Sequence, residues 1–175
     1  MNFELKPISV ESIPQALEKV ERYRLLNEPA LAESICLDIL AAVPDHQQAL
    51  ISLLLARTDH FHSGAQPKGA QEVLAQIKGE YEQAYYAGVI WERLGHARIR
   101  QRDPGARTSG YHALRDAMNH YERAIPLAPH GNNVAILRWN TCARTIMEHP
   151  EIQPAAEQDP QQWMHDEVGS RVVDA

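Results

Sequence analysis

Aromatic residues are scarce in this 175-residue chain, at 6% of the whole, and it holds only two cysteines. Few large planar side chains, set against abundant alanine and leucine, suit helix-on-helix packing, in which small residues let backbones approach. Cys36 and Cys142 lie far apart inside apolar patterns and read as small buried hydrophobes. Glycine is also sparse, nine residues, so the chain is expected to fold and not to behave as a linker. No run reaches the roughly 20 apolar residues of a membrane span. The start, Met1-Asn2-Phe3-Glu4-Leu5-Lys6-Pro7, lacks a basic stretch followed by an apolar core, which leaves a cytoplasmic location as the expectation. GxSxG, phosphate-loop, dinucleotide and HExxH patterns are missing too, so nothing proposes an enzyme or calls for a cofactor.

What the sequence does have is a spacing that occurs twice. Ala32-x3-Cys36 leads to Pro44 eight residues on, and Ala117-x3-Tyr121 leads to Pro129 at the same interval. A small residue, a larger one on the same helical face and then a proline stop describe the second helix of a helical hairpin. New apolar helices open after both prolines, with Ala49-Leu50-x2-Leu53-Leu54 and Ala135-Ile136-x2-Trp139-Asn140.

Read along the chain, residues 1–11 form a lead-in. Ser12 is expected to cap a helix through Leu26, with Leu17, Val20 and Tyr23 on one face. A second helix, about Ala30 to Ala42, turns Leu31, Ile35, Ile39 and Leu40 inward. Asp45 caps a third, about His46 to His60. A short helix, Lys68 to Lys78, is followed by a long one, Glu80 to about Arg100. An irregular piece, 102–110, precedes a helix at Tyr111–Leu127, and the last helix covers 133–148. The tail from 149 to 175 is acidic and is expected to be disordered or to pack weakly, with Trp163 and Met164 as its bulky apolar residues.

These segments resemble tetratricopeptide repeats, helix–turn–helix units of about 34 residues. Ala117, Tyr121, Ala124 and Pro129 carry the best match, then Ala32, Cys36, Ile39 and Pro44, with Gly88-x2-Trp91, Gly95, Leu50-x2-Leu53-Leu54 and Trp139-Asn140 at first-helix positions. The resemblance implies an all-α, right-handed solenoid over 12–148, with hairpins at 12–44, 46–78 and 80–129 and a closing helix at 133–148. It departs from the pattern between Gly95 and Ala117, where about 17 extra residues stand. It further implies a protein-interaction module, an adaptor or regulatory subunit holding a peptide or partner domain in a concave groove. Tyr85, Val89, Arg93, Leu137, Thr141 and Arg144 would face that groove.

The net charge of −6 is uneven. From Arg93 to Arg115 the chain carries +5, leaving −11 for the remainder. Overall acidity argues against nucleic acid as the partner, whereas Arg98, Arg100, Arg102 and Arg107 could fork onto an anionic one. Their alternative is a basic surface paired with neighbouring acids or with the tail. Asp59, His60 and His62 have metal-compatible side chains, the basis of a minor reading as a metal protein or enzyme, but lack further ligands nearby, and no metal is assigned. A structural role through self-association is the main alternative function. It would run through the apolar helix at 133–148, whose Val134, Ile136, Leu137, Trp139 and Ile146 exceed what a capping helix needs.

Overall fold

Helix starts and stops follow the prolines, asparagines and glycines. The computed structural model describes residues 3–64, 66–101 and 103–154. A 3-10 turn, Val10–Ser12, leads into α1, Ile13–Leu25, and α2 spans Pro29–Ala42. Between them Asn27 takes a left-handed φ of 58°. The Asn27 amide donates to the Arg24 carbonyl and the Glu28 amide to the Tyr23 carbonyl, the paired bonds that close a helix through a left-handed residue. Pro29 opens α2 at a position where its missing N–H costs nothing.

α3 runs Gln47–Asp59 and unwinds into a 3-10 turn, His60–Ser63; α4 is a short Lys68–Leu74. Then come α5, Glu80–Ile99, α6, Ala106–Ala124, a 3-10 turn at Ile125–Leu127, and α7, Val134–Glu148. Each helix packs chiefly on its neighbours in sequence, α1 on α2, α2 on α3, α3 on α4, α5 on α6 and α6 on α7. The described residues form an all-α protein without strands, built of helix–turn–helix units in a repeat-like order.

Two apolar clusters form the interior. The first joins α1 to α4 with the later part of α5, around Val20, Ile39, Leu50, Leu54 and Ile90. The second joins α5, α6 and α7, around Val89, Leu114, Tyr121 and Cys142. Leu55, Tyr86 and Trp91 border both, so the two halves share a seam.

The α5–α6 pair is the most extensive contact in the molecule. Small residues at the crossing let the two backbones come together. A Cβ on Gly88 would stand 2.5 Å from the Tyr121 ring, and one on Gly110 would stand 2.6 Å from the Ile99 side chain. The extra residues between Gly95 and Ala117 therefore mostly lengthen the two helices, to 20 and 19 residues, with a short turn between Ile99 and Ala106. Gly105, in the left-handed region at φ +77°, turns the chain and lets α6 begin at Ala106, five residues before the expected Tyr111.

Other boundaries also moved. Ser12 makes no cap; its hydroxyl donates to the Ser9 carbonyl at 2.7 Å. His46, and not Asp45, caps α3, its Nδ1 accepting from the Ala49 amide at 3.3 Å. Asp45 accepts instead from Lys78 Nζ at 2.9 Å. α4 stops at Leu74, although Ile77 beyond it is still buried. In α2 the buried stripe is Ala32, Cys36 and Ile39, and Leu31 is 47% exposed, because a 100° step per residue leaves no room for both on one face.

Candidate functional site

Two carboxylates on the first helices of successive units organise the polar face of the molecule. Asp59, at the end of α3, accepts from Arg24 Nε of α1 at 2.8 Å on Oδ2 and from Arg93 of α5 on Oδ1. The same Arg93 nitrogen donates to the Leu55 carbonyl at 3.0 Å and to the Thr58 hydroxyl at 2.6 Å. One carboxylate and two guanidiniums thus tie α1, α3 and α5 together and leave one positive charge in surplus. Burial lowers the Arg93 pKa, the Asp59 carboxylate opposes that shift, and Arg24 and Arg138 add to it.

Glu92, one residue earlier on α5, is only 4% exposed. It accepts from the Tyr121 hydroxyl of α6 and from Arg138 of α7 at 3.0 Å. A buried carboxylate is tolerable only with such partners. Burial works against the Arg138 charge, but Glu92, Tyr121 and Tyr85 outweigh it and raise the pKa. Burial likewise pushes the Tyr121 phenol up, and Glu92 adds to the effect. His96, one turn on, has its Nε2 4.0 Å from Glu92. Its pKa is lowered, first by burial and then, against the pull of Glu92, by Arg100, Arg138 and His62.

The two clusters adjoin, since Arg138 acts on both Arg93 and His96. Arg100, at the end of α5, lies 3.2 Å from His62 Nδ1. Charged groups from α1, α3, α5 and α7 therefore run across one face, with Arg24, Arg93, Arg100 and Arg138 set against Asp59 and Glu92.

The expected face residues divide into three groups. Tyr85 stacks on Tyr81 with centroids 5.7 Å apart, meets Tyr86 edge-on at 5.0 Å and tilts against Tyr121 at 5.9 Å. Val89 has no exposed surface and supports the face from beneath. Arg93 stands on the face but is already engaged by Asp59. Leu137, Thr141 and Arg144 form one exposed strip along α7, whose link to Glu92 is made by Arg138. Of the basic set, Arg98 is half-buried, Arg100 and Arg107 are exposed at the α5–α6 turn, and Arg102 lies outside the described residues.

The Asp59, His60 and His62 set does not assemble into a metal centre. Both Asp59 oxygens are held by guanidiniums, His60 Nε2 stands 3.9 Å from Glu33, and His62 meets Arg100. No group of three or more His, Cys, Asp or Glu side chains among the described residues is placed to hold an ion. Cys36 and Cys142 are fully buried, and burial pushes each thiol up to about 12.

Glu92, Arg24 and Arg138 were missed by the sequence reading, and a signal for Glu92 was available. Ala84, Gly88 and Gly95 mark a buried stripe at helical spacing, and Glu92 falls on it. An acid on a stripe that faces the core requires a cation from another helix.

A cleft of about 690 Å³ lies between the end of α4, the start of α5 and the end of α6, lined by Leu74, Gln83, Ala87, His120, Arg123 and Leu127, among others. Among the described residues no helix is long and apolar enough to cross a membrane.

The class these features define is an all-α protein of helix-hairpin units with a charged face across its first helices. No family model matches the chain, and no curated protein and no solved structure is significantly similar to it.

Proposed function

We propose that this protein is a protein-interaction module, a divergent tetratricopeptide-like solenoid whose first-helix face receives an extended acidic segment of another protein. The observation that carries the reading is the surplus of guanidiniums on that face. Arg24, Arg93 and Arg138 share the Asp59 and Glu92 carboxylates, and Arg100 meets the His62 ring. Guanidiniums fixed by their own partners are preorganised, so an arriving carboxylate meets donors already in position. Tyr85, with its ring against Tyr81 and Tyr86, adds a flat apolar surface beside the charges.

A random peptide library displayed against the full-length chain tests this. Acidic sequences should be enriched, and Arg24→Ala with Arg100→Glu, both on the charged face, should weaken the selected peptide at least about tenfold. The reading fails if no consensus emerges, or if the selected peptide ignores both substitutions and is lost on Arg123→Glu in the cleft beside α4.

Self-association through α7 is a second reading. It is favoured by the exposure of Val134 at 43%, Ile136 at 39%, Leu137 at 62% and Met147 at 72% on one terminal helix. A solution mass of twice 19.7 kDa would support it, and a monomer at high concentration would reject it.

A further inference from the structure

The cleft bordered by α4, α5 and α6 shares no lining residue with the Asp59 or Glu92 clusters. Its floor is the first part of α5, where Ala84 and Ala87 stand about one turn apart and are buried. Leu74, at the end of α4, forms one wall. The end of α6 and the 3-10 turn after it form the other, and there Leu127 is 43% exposed. A trough with an alanine floor and helical walls has the shape into which a further helix packs, because small side chains let a second axis approach to about 8–10 Å.

Charge is spread unevenly along this trough. α5 and α6 run antiparallel, with Gly88 beside Tyr121 and Gly95 beside Gly110, so His120 and Arg123 flank the stretch around Ala87. Glu80 lines the cleft from the first position of α5, seven residues and about 10 Å along the axis from Ala87. Among the described residues neither Arg123 nor Glu80 takes part in an ion pair. The trough thus offers a cation and, about two turns away, an acid, with apolar surface between them.

We infer that this cleft receives an amphipathic helix of a partner protein. Its apolar side chains settle on Ala84 and Ala87 between Leu74 and Leu127, an acid meets Arg123, and a base two turns away meets Glu80. A helix satisfies its own backbone and enters an apolar trough without stranding amide groups. Positions seven apart on it share one face at the spacing of the two charges. This second site is separate from the charged face and does not depend on the reading given for that face.

The test is a library of stapled helices of about 15 residues, randomised on the surface and selected against the full-length protein. Selected helices should carry an apolar stripe flanked by an acid and a base about seven positions apart. With a ¹⁵N-labelled protein they should shift the amide signals of Leu74, Ala84, Ala87 and Arg123. Arg123→Glu should weaken the selected helix at least about tenfold, and changing the acid of that helix to Lys should restore binding. Glu80→Lys, paired with a base-to-acid change in the helix, should behave in the same way. Arg123 and Glu80 are both exposed, so neither substitution disturbs the core. An acid seated over His120 should also raise its pKa, which burial and then Arg123 hold down against the pull of Asp116. Failure to enrich any helix overturns the inference, as do shifts confined to the charged face or to the α7 strip. So does binding that survives charge reversal without the compensating change. If the cleft signals move with protein concentration alone, the occupant is a second copy; if they move with dodecanoate and with no helix, it is a small anionic amphiphile. Either result rejects a partner helix. The cleft and the charged face are followed by different amide signals, so failure at one is told apart from failure at the other.

Discussion

Asp59 and Glu92 do the same job in different surroundings. Each is a carboxylate that gathers donors from neighbouring helices, Asp59 from α1 and α5, Glu92 from α6 and α7. Asp59 keeps 23% of its side chain in water and binds two guanidiniums, so its cluster ends with excess positive charge. Glu92 keeps 5% and is matched by one guanidinium and one phenol, so its cluster ends neutral. Burial explains the difference. Where water is excluded the charges must balance, and where it reaches the site a surplus can persist and remain available to a ligand. The Glu92 cluster is chiefly a structural clasp between α5, α6 and α7, and the Asp59 side carries the free positive potential.

The sharpest way to break this comparison is to remove each carboxylate. Glu92→Ala strands the Tyr121 hydroxyl and the Arg138 guanidinium in a closed site and should cost about 3 kcal/mol, read as the shift of a urea midpoint. Asp59→Ala frees two guanidiniums that can turn to solvent and should cost about 1 kcal/mol. Equal losses would mean that burial does not separate the two clusters.

A second substitution tests how the phenol reaches Glu92. Tyr121 is fully buried and crosses α5 at Gly88. In Gly88→Ala the new methyl would stand 2.5 Å from a ring that is packed on all sides, so the ring or the helix must shift. Overpacking of this kind costs about 2 kcal/mol. The same substitution at an exposed helical site would stabilise, so an unchanged or raised urea midpoint would show that the crossing is looser than described.

Much of the architecture could be read from the chain because its punctuation is local. Pro29 and Pro44 and the Ala32–Cys36–Ile39 and Ala117–Tyr121–Ala124 stripes put helices close to where they stand. The α5–α6 turn was misread because Asp-Pro-Gly and Ser109-Gly110 look like loop, whereas Gly110 serves close packing against Ile99 inside a helix. The face was only partly legible. Arg93 and Tyr85 were expected there through the repeat resemblance, but the partners that fix Arg93 come from residues 34 to 38 positions away. Pairing at that range is a property of the packing, and no local pattern encodes it. Arg138 is a further instance, since its neighbours Leu137, Thr141 and Arg144 were chosen for the face while Arg138 itself reaches Glu92.

The smallest effect expected is a pH dependence confined to the Glu92 side. Burial holds the His96 pKa below its ordinary value of 6.5, with Arg100, Arg138 and His62 reinforcing the shift against Glu92. A histidine with a depressed folded pKa stays neutral in the native state while the unfolded chain takes up a proton. Its contribution is therefore intact above pH 6.5 and is lost as pH falls toward the folded value. His120 shares the sign, through burial and then Arg123, but sits in the cleft beside α4. Urea midpoints followed downward from pH 7 should decline in the wild type and decline less steeply in His96→Gln, the remaining slope belonging to His120 and any other titrating groups. If His96→Gln leaves the slope unchanged, the imidazole is better solvated than its place between Glu92 and Arg138 requires. The Glu92 cluster would then be as open to water as the Asp59 cluster, and the contrast between them would rest on donor number alone.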